Sequence, residues 1–113
     1  MEFSTPDLAD AFPEVKALEP ILKNFGGKTS FHGPIQTLKC PDDNSLVKQQ
    51  FNSEGNGRVL VVDAGGISTV ALLGDLIANS GIENNWAGII INGYIRDIEI
   101  IKTLSIGVQA LGA

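Results

Sequence analysis

Residues 58–66 read Arg58-Val59-Leu60-Val61-Val62-Asp63-Ala64-Gly65-Gly66, and the aliphatic run at their centre decides the fold class. Apolar, mostly β-branched residues without polar alternation make a strand buried on both faces, as in a parallel sheet. The Asp-Ala-Gly-Gly that follows ends the strand in a loop. Residues 86–93, Trp86-Ala87-Gly88-Ile89-Ile90-Ile91-Asn92-Gly93, repeat the pattern: a second buried strand that closes at Asn92-Gly93. Between the two, Val70 to Leu73 is a short apolar run, and Gly74-Asp75 opens a helix predicted to reach about Ser80 and stop at Gly81. A short helix from Asp97 to Thr103 and a strand from Ile106 to Leu111 complete this half. Helices alternating with buried strands imply an α/β fold with a mainly parallel sheet.

The first half is less regular. Thr5-Pro6-Asp7 is a helix start, with a hydroxyl cap, proline in the first turn and an acid after it. A second short helix is predicted from Leu18 to Phe25, stopped by Gly26-Gly27. Phe31 to Cys40 alternates around Ile35, Thr37 and Leu38 as a half-buried strand. Asn44 then caps a helix through about Ser53, with Leu46, Val47 and Phe51 on one face, and Gly55-Asn56-Gly57 closes it.

The chain has 113 residues, the size of one domain, predicted to span 1–113. A hydrophobic content of 43% is that of a globular protein. The net charge of −5 gives no electrostatic reason to bind nucleic acid or an anionic membrane, while a basic partner segment is permitted. No apolar run approaches the roughly 20 residues of a membrane span. One cysteine, Cys40, and a start (MEFSTPDLAD) with neither a basic nor an apolar leader segment place the protein in the cytoplasm. A strand ending so near Ala113 reads as a domain lacking its C-terminal part.

In open α/β sheets ligands bind beyond the carboxyl ends of the strands. Two such ends carry Asp63-Ala64-Gly65-Gly66 and Gly93-Tyr94-Ile95-Arg96-Asp97, and the helix start at Gly74-Asp75 can face the same rim. Together they offer a cation, up to three carboxylates and free helix-start amides, a set suited to a divalent metal and an acidic substrate. Each also has a plain structural reading. Asp97 is placed to cap the helix after it, Arg96 to pair with Glu99, Asp75 to favour its helix dipole and Asp63 to serve its turn. No G-x-G-x-x-G after a strand, Walker A, H-E-x-x-H or paired C-x-x-C occurs. His32, the single histidine, and Cys40 read as structural.

Four stretches carry a resemblance. Phe25-Gly26-Gly27 with Phe31-His32-Gly33-Pro34-Ile35-Gln36-Thr37-Leu38-Lys39-Cys40 is one, and Gly57 through Gly66 another. Trp86 through Gly93 and Ile106 through Leu111 complete it. In that order, over essentially the whole chain, they resemble the regulator of ribonuclease E activity A (RraA-like) family. The resemblance implies a swivelling β/β/α domain that continues through further strands, in a cytoplasmic homotrimer sometimes doubled to a hexamer. It implies one of two functions. Some members are metal-dependent class II lyases, which cleave 4-hydroxy-4-methyl-2-oxoglutarate and decarboxylate oxaloacetate through a pyruvate enolate. Others bind ribonuclease E and restrain it.

The lyases carry an Arg-Asp pair after the glycine-bearing strand, matched here by Arg96-Asp97, and a helix start matched by Gly74-Asp75-Leu76-Ile77. By that resemblance Asp97 would ligate Mg²⁺ or Mn²⁺, and Arg96 would bind the keto acid and stabilise the enolate. Asp75 would order a water on the ion, and the amides of Gly74, Asp75, Leu76 and Ile77 would hold a substrate carboxylate. One position departs: the lyase pattern has an acid three residues after the aspartate, where this chain has Ile100. Glu99, one residue earlier, faces another side of a helix.

Overall fold

A computed structural model describes residues 22–39, 44–65 and 70–113. The predicted helix start at Thr5-Pro6-Asp7 and Cys40 lie outside them. Among the described residues five strands form one sheet: β1 (Lys23–Asn24), β2 (Ile35–Lys39), β3 (Val59–Asp63), β4 (Gly88–Tyr94) and β5 (Gly107–Gly112). Helices α1 (Ser45–Phe51), α2 (Asp75–Glu83) and α3 (Ile98–Ile101) join the last four. The strand order is β1-β5-β4-β3-β2, with β2 to β5 parallel and β1 antiparallel on the edge. Each helical crossover steps to the adjacent strand in the same direction. A constant crossover hand therefore stacks all the helices on one face.

That face is the core. Leu60 and Val62 of β3, Ile89 and Ile91 of β4, and Val108 and Ala110 of β5 meet Val47, Phe51, Ile77, Ala78 and Ile101 of the helices. On the other face Val61, Ile90 and Gln109 are only half-buried, so the aliphatic strands are covered less evenly than their composition predicts. In β2 the predicted alternation holds, but Leu38 packs inward while Ile35 is exposed. In α1, Val47 and Phe51 are buried as predicted, whereas Leu46 is exposed.

Three boundaries differ from the sequence reading. Where a helix was predicted to end at Phe25, Lys23 and Asn24 pair with Ala110 and Gln109 of β5, and the Phe25 amide donates to the Val108 carbonyl. The open sheet edge offers these residues a longer-range set of backbone partners than a helical turn would. The strand β4 runs on through Asn92 and Gly93 to Tyr94, beside its neighbours.

The third difference concerns α2, which passes through Gly81 instead of stopping there. A Cβ on Gly81 would lie 2.5 Å from the Phe51 ring, so the glycine is the place where α1 and α2 touch. Phe51 is fully buried and also packs on Trp86, with ring centroids 5.4 Å apart. The Trp86 indole N–H donates to the Ser53 carbonyl, and Arg58 lies over its ring.

This contact reverses an ordinary helix rule. Alanine in a helix interior is normally about 1 kcal/mol better than glycine. Gly81→Ala is expected to destabilise the chain by about 1–3 kcal/mol through overpacking against Phe51. Urea unfolding of Gly81→Ala measures that loss, and the loss should shrink in the Phe51→Leu background.

Candidate functional site

The carboxyl end of β4 and the start of α2 are laced together by backbone. Ala71 forms a parallel bridge with Tyr94, the Leu72 amide donates to the Tyr94 carbonyl and the Arg96 amide to the Leu73 carbonyl. On the other side the Ile95 amide donates to the Gly112 carbonyl at the end of β5. Leu72, Leu73 and Ile95 are buried. Arg96-Asp97 and Gly74-Asp75 are thus presented together at one corner of the rim, 22 residues apart in sequence.

Asp97 takes the left-handed backbone conformation, with φ 59° and ψ 37°. Among non-glycine residues aspartate and asparagine tolerate that region best. Its carboxylate makes no capping bond to its own helix α3. Instead Oδ2 accepts the amide of Asp75 at 3.2 Å, which caps the first turn of α2. An anion there also meets the positive end of the α2 dipole. The expected cap role of Asp97 therefore exists, but on a helix it does not precede.

Arg96 pairs with its neighbour, Nε lying 3.7 Å from Asp97 Oδ2, and the guanidinium side chain is 68% exposed. The pairing with Glu99 considered from sequence is not made, because Glu99 pairs with Lys102 one turn along α3. Gly74 sits beneath both functional groups. A Cβ there would lie 3.0 Å from Arg96 Nε and 3.0 Å from Asp97 Oδ2, so a glycine is what leaves room for the pair. Asp75 is half-buried at the head of α2. With its amide engaged by Asp97, the amides of Leu76 and Ile77 remain without partners among the described residues. Both point along the helix axis, as first-turn amides do.

The three carboxylates read from sequence do not gather. Asp63 turns back on its own loop, where Oδ1 accepts the Gly65 amide at 3.0 Å. Among the described residues no group of three His, Cys, Asp or Glu side chains could hold a metal ion. A sparsely ligated ion still fits the donor set. Mg²⁺ binds through one or two carboxylates and keeps several waters, and the bond to Asp75 uses only Oδ2 of Asp97. Ile100 is 47% exposed on α3, so the acid of the lyase pattern is replaced by an apolar surface residue.

One lining residue escaped the sequence reading. Lys48 of α1 joins Asn44, Leu76, Ile77, Ser80 and Arg96 around a groove of about 280 Å³. No spacing marks it, since it reaches the site only through the packing of α1 on α2.

These features define an α/β protein with a strand-end site built from an Arg-Asp pair and a helix start. The chain belongs to the RraA-like family, whose sequence model (Aldolase/RraA) matches residues 5–113. A curated relative from Hahella chejuensis, named "Putative 4-hydroxy-4-methyl-2-oxoglutarate aldolase", is 53% identical over 99% of this chain and 69% of its own length. The solved structure of the RNA-processing inhibitor RraA from Thermus thermophilis superposes with a TM-score of 0.92 at 41% identity, covering 100% of this chain and 69% of that one. A structure described as S-adenosylmethionine:2-dimethylmenaquinone methyltransferase, from Geobacillus kaustophilus, gives 0.89 at 42% identity, over 97% of this chain and 69% of that one. Among the described residues, no helix is long and apolar enough to cross a membrane.

The cap across the two elements has a measurable signature. Asp97→Ala removes the acceptor and strains the left-handed backbone, and should cost about 2 kcal/mol in urea unfolding. Asp97→Asn keeps an acceptor and tolerates the backbone, so its cost should stay near 0.5 kcal/mol. Equal losses in the two variants would mean that the bond to Asp75 contributes nothing.

Proposed function

We propose that the chain is a carbon–carbon lyase that releases pyruvate from a 2-oxo diacid, acting as a 4-hydroxy-4-methyl-2-oxoglutarate aldolase with oxaloacetate decarboxylase activity. The observation that carries this reading is the closeness of Arg96 and Asp97 to a glycine that leaves space for both. The name of the Hahella chejuensis relative supports the same chemistry.

Both reactions break the C3–C4 bond and leave its electron pair on the pyruvyl fragment as an enolate. In decarboxylation the C4 carboxylate departs as CO₂. In retro-aldol cleavage the C4 hydroxyl loses its proton as C4 becomes a carbonyl. Protonation of C3 then yields pyruvate in each case. Charge thus develops on the keto oxygen, and a preorganised cation there lowers the barrier. Arg96 supplies a guanidinium that can bind the 1-carboxylate and keto oxygen together, a planar fork that lysine lacks. The amides of Leu76 and Ile77 offer hydrogen bonds to a carboxylate. Asp75 holds the water that takes the hydroxyl proton. Asp97 would hold a divalent ion, Mg²⁺ or Mn²⁺, which would supply Lewis-acid stabilisation of the enolate charge. Ile100 limits the site to fewer acids than the lyase pattern has, so turnover is expected to be slower than that of a lyase with the full set.

The test is pyruvate release from oxaloacetate, coupled to lactate dehydrogenase, with and without Mg²⁺. A metal-dependent rate above the solution background is expected. Asp97→Asn and Arg96→Lys should each lower it about 10²- to 10³-fold. A rate unchanged in Asp97→Asn would sink the reading, and that variant keeps its fold.

The RNA-processing inhibitor among the structural relatives favours a second reading, a regulator that binds ribonuclease E. An acidic chain of net charge −5 would associate with a basic, arginine-rich segment of that partner. Co-purification at low ionic strength that disappears as salt is raised is the expected result. Complete absence of binding at low salt would count against it. Assembly as a homotrimer accompanies either reading.

A further inference from the structure

The contact between Phe51 and Gly81 draws α1 and α2 together, and one turn back along each helix the gap widens into the groove between Lys48 and Arg96. The groove holds about 280 Å³, at the lower end of small-ligand sites. Its described lining contains two cations and no carboxylate, on a chain whose net charge is −5. The exposed side chain of Leu76 and the buried Ile77 supply apolar surface, and Asn44 and Ser80 complete the lining.

The two cations are less engaged than Arg58 and Lys102. Arg58 donates to the Gly55 and Glu54 carbonyls and to Gln36, and also covers Trp86. Lys102 is paired with Glu99. Lys48 pairs with no carboxylate among the described residues, and the ion pair of Arg96 among them is with Asp97 beside it. Lys48 also stands on a different helix from every residue assigned a role above.

From this we infer that Lys48 is the specificity-determining residue for the distal carboxylate of a 2-oxo diacid. The inference rests on the lyase reading for the placement of the first carboxylate at Arg96. A diacid lying along the groove sets its pyruvyl end at Arg96 and its far carboxylate at the Lys48 ammonium, with its carbon chain over Leu76. A monoacid of the same length leaves Lys48 unused. A lysine suits this task, because the distal carboxylate differs in position between substrates and a flexible point charge can follow it.

The test uses a matched pair that the enzyme cannot cleave, 2-oxoglutarate and 2-oxopentanoate, in which a methyl group replaces the distal carboxylate. Isothermal titration with each, in the presence of Mg²⁺, should show the diacid binding the native chain about ten- to a hundredfold more tightly, the worth of one charge-assisted hydrogen bond. Lys48→Met should remove that preference, and Lys48→Arg should keep most of it. Equal affinity for the two acids in the native chain, or a preference that survives Lys48→Met, overturns the inference, as does a native chain that binds neither. Pyruvate release from 4-hydroxy-4-methyl-2-oxoglutarate, followed in parallel, judges the lyase reading separately. A diacid preference dependent on Lys48 in a chain that releases no pyruvate would leave Lys48 in place and remove the chemistry.

Discussion

Gly74 carries no side chain at the point where three chemically useful groups crowd together. Arg96 Nε and Asp97 Oδ2 would both press on a Cβ at that position, and the amide of the next residue is already bonded to the same carboxylate. The corner of the rim depends on this close approach. A larger residue would make both side chains give way slightly, and one of them is the carboxylate that caps that helix. The left-handed backbone at Asp97 belongs to the same arrangement, since it turns the chain at the end of β4 so that the carboxylate meets α2. Backbone held in a sparsely populated region is tolerated where neighbouring structure over-determines it. Here the Arg96 and Ile95 amides, bonded on opposite sides to Leu73 and Gly112, provide that restraint.

The topology explains why the site lies where it does. Four parallel strands in sequential order place all the described crossover helices on one face, and the carboxyl ends of those strands share one rim. The turn after β4 and the one before α2 share that rim with the end of β3. They are not equivalent, however. Asp63 accepts the Gly65 amide of its own loop and the Asn92 side-chain amide of β4, while Asp97 accepts the amide at the head of α2. Of two aspartates at two strand ends, the second is the one that lies against Gly74 and Asp75.

Packing away from the rim then shapes what the site can accept. The absent side chain of Gly81 brings α1 against α2, and Lys48 and Arg96 line the same groove. The same substitution that would disturb the core at Phe51 would move a cation in the groove. One helix–helix contact thus links the core to the groove, because close-packed interiors transmit small displacements.

Much of this was legible in the chain itself. Unbroken aliphatic runs at Val59–Val62 and Gly88–Ile91 specify buried strands, because residues with no polar alternation have no face to give to water. Gly74-Asp75 and Arg96-Asp97 were visible as candidates because strand ends and helix starts are local features, and the resemblance attached chemistry to them. What could not be read were relations between distant residues. Gly81 looks like a helix stop by its own propensity, and only the ring of Phe51, 30 positions away, makes it a helix contact. Lys23 and Asn24 look helical until the edge of β5 offers them backbone partners. Asp97 holds the N-cap position of the helix it precedes, but its carboxylate caps another. The sequence by itself determined the fold class and the residues at the rim, since both follow from local pattern. The tertiary structure alone decided which helix the Asp97 carboxylate caps and which lysine shares a groove with the arginine, since those depend on how separate elements pack.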